Sequence, residues 1–368
     1  MNKHFLMLGI LLCLSGIARA QQAGCFKASE SGGLELETDI DFDGSDVFFL
    51  GEFHGVYGVS EVKLALIKYL NRRYGITDVF METGYSTAYL YNAYLASGDT
   101  SFLKEPTLIY YMRKPYRDFW EQLYIYNKGL EHKITIRGMD FERIEFLKVL
   151  KLLMPKGKEK PGTIFRTLEY IDTVAVRELA RVHSDSSYVL ENIYERLRDS
   201  IVNNKEEYRR YFGLNFKTVE EIMFNVDTYI GFDERNKMMY HNITKQTERD
   251  GVKQFIVISG MNHGSKSYLG WRSLCYRLAK RKQFRGKVAD IAMLCKNCYD
   301  WQLKPEYRHA AFRGPAPYIT DTTLINNIYN EYYKADCKYR MIETDRIDDK
   351  RVRKFSDYVV LMKDQPEF

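Results

Sequence analysis

Glu52 and His54 stand two residues apart in the stretch Leu50-Gly-Glu-Phe-His-Gly55. In an extended segment such residues point to one side, and the flanking Gly51 and Gly55 permit backbone geometry that other residues resist. An imidazole with an unperturbed pKa of about 6.5 is poised to take a proton at neutral pH, and a carboxylate beside it can orient the ring and stabilise its charged form. The pair therefore suits a general base acting on water. Taken alone, so short a pattern reads first as two side chains satisfying loop backbone groups. Its company shifts the balance: Glu82, Asp140 and His263 each follow closely on a short apolar run, and separate structural needs rarely set acid, acid and imidazole at successive strand ends. Arg235, within Asp233-Glu-Arg-Asn-Lys-Met-Met-Tyr-His-Asn242, could hold a carboxylate or face oxygen charge developing in a transition state. By itself it reads as a surface ion-pair partner.

Four strands must position these groups. Val47-Phe-Phe-Leu50, Val79-Phe-Met81, Ile134-Thr-Ile136 and Phe255-Ile-Val-Ile258 are continuous apolar runs, the pattern of strands covered on both faces. Glycine and hydrogen-bonding residues follow each one. In a parallel sheet such junctions share the carboxyl edge, where these folds build their sites, so the four ends are expected to converge on one crevice. Val59, Val62, Leu66 and Tyr69-Leu70 recur at helical spacing after the first strand, with Lys63, Lys68 and Arg72-Arg73 on the other faces and Gly75 as the stop. This predicts a βαβ crossover. Val288 to Leu294 and Tyr358 to Met362 read as further strands, Asp233 to Asn242 as helical, and Tyr318 to Arg346 as a Tyr-rich helix without an interpretable motif. The expected fold is α/β: a mostly parallel central sheet covered by helices. Residues 21–141 and 251–368 supply its two parts, and 142–250 form a large helical insertion between the third and fourth core strands.

The 368 residues are enough for a sizeable core, and 45% hydrophobic with 28% charged residues is ordinary globular usage. The formal net charge of +6 is small and both signs are mixed throughout, which argues against a nucleic-acid partner. Residues 1–20 have the basic start, apolar run and Ala18-Arg19-Ala20 ending of an export signal, with cleavage expected between Ala20 and Gln21. Lipidation at Cys25 is disfavoured, because Gln22 stands where an apolar residue is expected and Arg19 to Gln22 separate the apolar run from it. No later stretch approaches the roughly 18 uninterrupted apolar residues of a membrane span, so a periplasmic or secreted protein without stable membrane insertion is expected. After cleavage Cys25, Cys275, Cys295, Cys298 and Cys337 remain, an odd number, so at least one is free, modified or paired to another chain. Cys295-Lys-Asn-Cys298 lacks the second ligand pair of a zinc site, which favours a structural disulfide or plain thiols. The pairing is open.

At this point the chain resembles the erythromycin esterase family, within the broader group that includes the haem-binding uptake proteins and the Tiki metalloproteases. The matching stretches are Leu50 to Gly55, Arg73-Tyr-Gly75 leading to Phe80-Met-Glu-Thr-Gly84, Ile136-Arg-Gly-Met-Asp140, Arg235 to Asn242 with its R-x-x-x-M-x-x-N spacing, and Val257-Ile-Ser-Gly-Met-Asn-His263. They run in the family's order over residues 45–265. The resemblance implies that Glu52, His54, Glu82, Arg235 and His263 fall on the esterases' active-site motifs, with Asp140 and Asn262 beside them. The chain departs from the pattern in having only Phe53 between Glu52 and His54, as the haem-uptake relatives do, and a single histidine in the last motif.

The implied reaction is metal-independent hydrolysis of a small-molecule ester or lactone without a cofactor. His54 takes a proton from the attacking water, Glu82 or Glu52 orients His54, and Arg235 with His263 stabilises the tetrahedral oxygen or protonates the leaving alcohol. No G-x-S-x-G elbow or H-E-x-x-H helix competes with this reading. Two alternatives stand beside it. One is a divalent-metal hydrolase or peptidase of the Tiki type at His54, Glu82 and His263; the other is a haem-binding module using some of the 29 Tyr and 21 Phe, whose dispersal otherwise suits core packing.

Overall fold

The computed structural model describes residues 23–29, 33–104, 114–143, 145–162, 164–170, 186–225, 231–267, 271–299, 309–313, 321–333 and 336–365. The leader read at residues 1–20, its cleavage site, and Tyr318 lie outside them. Ten strands form among the described residues: β1 (Ala23–Ala28), β2 (Leu34–Thr38), β3 (Val47–Glu52), β4 (Asp78–Met81), β5 (Thr135–Gly138), β6 (Phe255–Gly260), β7 (Val288–Tyr299), β8 (His309–Arg313), β9 (Tyr339–Glu343) and β10 (Tyr358–Gln365). The chain divides into two compact units, Met1–Ile76 with Ile256–Phe368, and Thr77–Phe255.

In the first unit the strand order is β2-β1-β9-β10-β7-β3-β6, with β8 on β7. The middle is parallel, as continuous apolarity predicts: β7 lies parallel to β3, with Leu50 opposite Ile291, and parallel to β10, with Tyr358 opposite Ile291. All six residues of β3 and of β6 are buried, which requires cover on both faces. The edge β2-β1-β9-β10 is antiparallel and was not anticipated. There Leu34 and Leu36 are buried while Glu35 and Glu37 are not, the period-2 alternation of a half-covered strand. The stretch from Tyr318 to Arg346 is corrected in part: helix Thr322–Tyr332 is followed by strand β9, whose alternating Tyr339 and Met341 point into the core. Helix α1 (Tyr57–Tyr74) ends at Gly75 with φ +69°, its N–H donating to Asn71 O over 2.9 Å, the left-handed stop read from the sequence.

The second unit holds the parallel pair β4 and β5, in register Val79 to Ile136, then helix α2 (Tyr85–Ser97) and the helices Glu145–Leu153, Ser186–Asn203, Lys205–Phe212, Phe216–Met223 and α3 (Phe232–Asp250). The apolar faces of all of these helices but α3 meet in one cluster that includes Leu90, Phe146, Leu150, Leu197, Val219 and Ile222. Among the described residues no helix is long and apolar enough to cross a membrane.

Two disulfides form, Cys25–Cys337 and Cys295–Cys298, and Cys275 is a buried free thiol. The first joins β1 to the turn ahead of β9 across a sequence separation of 312. Closing so long a loop restricts the unfolded chain most. Cys25→Ser is expected to lower unfolding stability by about 2–4 kcal/mol, read as a lower denaturant midpoint with a somewhat higher m-value, because the unfolded chain is freer to expand.

Candidate active site

In the first unit the site begins where β3 ends. Glu52 is the last residue of β3, and His54, two residues on, returns to the same side. His54 Nδ1 lies 2.9 Å from Glu52 Oε1, and Lys63 Nζ lies 2.9 Å from Glu52 Oε2. Lys63 and Glu52 are only 2% and 7% exposed, whereas His54 is 41% exposed. Lys63 is therefore not on an outer face of α1, as its charge suggested. Its ammonium is turned inward to the strand end, while the stem packs with the apolar residues of the helix. Burial works against the charge of Glu52, but the Lys63 ammonium and the His54 hydrogen bond outweigh it and hold the carboxyl pKa at about 2. An ionised carboxylate only accepts hydrogen bonds, so the proton on His54 sits on Nδ1 and the lone pair on Nε2. Glu52, one of the two acids weighed as the orienting partner of His54, bonds to it.

His263 closes the turn Met261–His263 that follows β6, and it is buried, at 3% exposure; Asn262 beside it is exposed. β6 is the neighbour of β3. A Cβ on residue 51 would come within 3.3 Å of Met261 Cα, so glycine lets these two strand ends approach closely.

In the second unit, Glu82 follows β4, Asp140 follows β5, and Arg235 stands in the first turns of α3. The guanidinium takes Asp140 in a fork, Nε to Oδ1 at 3.0 Å and Nη2 to Oδ2 at 2.5 Å, and Nη2 also donates to Glu82 Oε1 at 2.6 Å. Its carbon lies 5.2 Å from the centre of the Phe141 ring, a cation–π contact. Burial disfavours the guanidinium charge, yet the bonds to Asp140 and the charge of Glu82 raise its pKa above the ordinary value. Asp140 is fully buried, so its carboxylate is a partner for Arg235 and is shut off from solvent. The R-x-x-x-M-x-x-N spacing now has a physical cause. Residues i, i+4 and i+7 share a helix face: Arg235 takes the carboxylates, Met239 is fully buried, and Asn242 donates to Met139 O at 2.9 Å.

Residues the sequence did not single out fix this loop. Asn225 donates to Asp140 O at 2.7 Å and to Glu142 Oε1 at 2.8 Å, and Gln246 donates to Gly138 O at 2.7 Å. Glu142 accepts the N–H groups of Tyr85 and Ser86 at 2.7 and 3.0 Å and the Ser86 hydroxyl, capping the first turn of α2 as an N-terminal acid should. Gly138 is obligatory, since a Cβ there would lie 2.3 Å from Gly84 O. Glu142 was signalled only by its place beside Asp140 and Gln246 by its place on α3, and Asn225 carried no signal in the sequence.

No protein-family model and no curated protein matches the sequence. Solved structures do. A histidine-to-asparagine mutant of the erythromycin esterase EreC, in its open conformation, superposes with a TM-score of 0.58 at 14% identity, covering 88% of this chain and 91% of that one. A succinoglycan biosynthesis protein gives 0.56 at 14% identity over 88% of each chain, and a Bacillus cereus protein 0.55 at 17% identity over 88% and 89%. The chain shares their fold.

The donor set suits protons and anions better than a divalent cation. Glu52 is already paired with Lys63, and Glu82 and Asp140 with Arg235. Among the described residues no three His, Cys, Asp or Glu side chains group as metal ligands.

Lys63→Met removes one partner of a buried ion pair and is expected to destabilise the chain by about 3–5 kcal/mol; adding Glu52→Gln should recover most of the loss. Because the folded-state pKa of Glu52 lies below its ordinary 4.5, at about 2, the pair stabilises the protein above pH 4.5 and that contribution fades as pH falls toward 2. Acid titration of the unfolding midpoint should show this dependence in the wild type and lose it in the double variant.

Proposed function

We propose that the chain is an exported, erythromycin esterase-like hydrolase that cleaves a carboxylic ester or lactone of a small molecule by a water-activation mechanism. The observation that carries the reading is the Lys63–Glu52–His54 relay: a buried cation keeps a carboxylate ionised, and that carboxylate presents a half-exposed imidazole with its lone pair on Nε2. This is the arrangement a general base requires. The cystine between Cys25 and Cys337 supports an oxidising compartment, in keeping with cleavage between Ala20 and Gln21 and a periplasmic or secreted location.

Water adds to the carbonyl carbon as His54 Nε2 accepts one of its protons, and Glu52 stabilises the imidazolium through Nδ1–H. The tetrahedral oxyanion then collapses, the bond to the alkoxide oxygen breaks, and a proton passes to that oxygen, leaving acid and alcohol. No bond to the protein forms. Arg235 with His263 stabilises charge near the tetrahedral oxygen or protonates the leaving alcohol, and the contact of Glu82 with Arg235 supports a part for Glu82 in holding that guanidinium.

An ester and lactone panel tests this. His54→Ala, folded like the wild type by circular dichroism, should lose about 10²- to 10⁴-fold in kcat, the usual contribution of a general base, and a chelator should leave wild-type turnover unchanged. Full turnover by His54→Ala removes the relay from the mechanism. Loss of turnover on chelation with recovery on adding Zn²⁺, Mn²⁺ or Fe²⁺ favours the metal reading, and an absorbance shift on haem titration without any turnover favours a binding module.

A further inference from the structure

A carboxyl group lies buried in the middle of the first unit's sheet, outside the relay. Asp290, on β7 opposite Phe49 of β3, is 1% exposed, and its strand neighbours Ala289, Ile291 and Ala292 are buried apolar residues. A carboxyl in such surroundings is costly unless it is bonded. Its Oδ2 accepts the backbone N–H of Ser265 at 3.0 Å.

Ser265 comes two residues after His263 and is conformationally unusual. It is fully buried and has φ +76°, a left-handed conformation that a residue with a Cβ rarely adopts and that surrounding bonds must enforce. Both of its backbone polar groups are held: the N–H by Asp290, and the C=O by the Ser273 hydroxyl at 2.7 Å. On the other side of the turn, Gly264 N–H donates to Met261 O at 3.0 Å, and a Cβ at residue 264 would lie 3.8 Å from Asp290 Oδ1. Ser265, at the end of this turn, therefore rests on Asp290.

The groups facing Asp290 are few. Cys275, from helix Leu274–Lys280, lies against the carboxyl, and Asp357 Oδ2, just ahead of β10, accepts the Asp290 backbone N–H at 2.8 Å. Lys266 Nζ stands 2.5 Å from Asp357 Oδ1. Burial, then the charge of Asp357, pushes the Asp290 carboxyl well above the usual carboxylate range. A neutral carboxyl keeps a carbonyl oxygen for Ser265.

We propose that Asp290 is the positioning residue for His263: it fixes the left-handed turn at Ser265 from inside the sheet and so sets the place of the imidazole two residues earlier. Its effect on rate rests on the proposed hydrolysis, but its effect on the geometry of His263 does not.

Ring ¹⁵N and ¹³C resonances of the histidines, with His263 assigned through a His263→Gln variant, read the geometry directly. Asp290→Ala should displace the His263 resonances, leave those of His54 in place and speed hydrogen exchange of the Ser265 amide. Asp290→Asn retains an acceptor oxygen for Ser265 and should leave all three as in the wild type. On an ester that the wild type turns over, Asp290→Ala should lower kcat about 10- to 100-fold, the cost of a misplaced group, and should add no further loss in a His263→Ala background. Unmoved His263 resonances in folded Asp290→Ala overturn the proposal, as does equal displacement by Asp290→Asn. If Asp290→Ala fails to fold, Ser273→Ala, which frees the Ser265 carbonyl, decides the matter: displaced His263 resonances support the proposal and unmoved ones overturn it. A wild type without esterase activity defeats the hydrolase reading alone, since the resonances still judge Asp290.

Discussion

The contact between Lys63 and Glu52 governs the rest of the candidate site. A carboxylate at the end of a fully buried strand cannot keep its charge unaided, because low-dielectric surroundings favour the protonated form. The ammonium 2.9 Å away reverses that preference. Charge on Glu52 in turn dictates which nitrogen of His54 bears the proton, and hence that the second nitrogen can act as a base. Fold and chemistry are linked by one helix beside a strand end: α1 must pack so that Lys63, its seventh residue, reaches the end of β3. Were Lys63 solvated, burial would favour the protonated form of Glu52, whose O–H could donate to His54 instead of only accepting from it.

The second unit solves a related problem with another cation. Arg235 suits its task because a planar fork meets a carboxylate at two points while a third N–H reaches a second acid, and a lysine at this position could not reproduce that geometry. The loop bearing Asp140 is held by side-chain amides of Asn225, Asn242 and Gln246. Amides satisfy buried backbone carbonyls without adding charge, so the local electrostatics belong to Arg235 and its two acids. Both units thus hold carboxylates by cations drawn from a neighbouring helix.

Much of this was legible in the residues. Continuous apolarity in Val47 to Leu50 and Phe255 to Ile258 reports burial on both faces, and the glycine and polar residues after those runs mark where each strand ends or turns. The spacing of Glu52 and His54 gave their common side, and Arg235, Met239 and Asn242 lay at helical intervals. What escaped detection depends on partners distant in the chain. Lys63 carries a charge, and helical periodicity alone assigns charge to solvent; only Glu52 in space draws it inward. Asn225 and Glu142 are ordinary polar residues until Asp140 and Ser86 lie beside them. The antiparallel edge has short strands, and β1 contains Gly24, Cys25 and Lys27, so its alternation is weak. The Cys25–Cys337 link crosses 312 positions, beyond what any local pattern encodes.

The tautomer of His54 tests the central claim most directly. ¹⁵N spectroscopy of the histidine ring at neutral pH should find the proton on Nδ1, bonded to Glu52, and an unprotonated Nε2, and Lys63→Met/Glu52→Leu, which leaves no acceptor at residue 52, should abolish that preference. A wild-type His54 protonated on Nε2 alone would contradict the account, because the ring would then have no lone pair with which to take a proton from water.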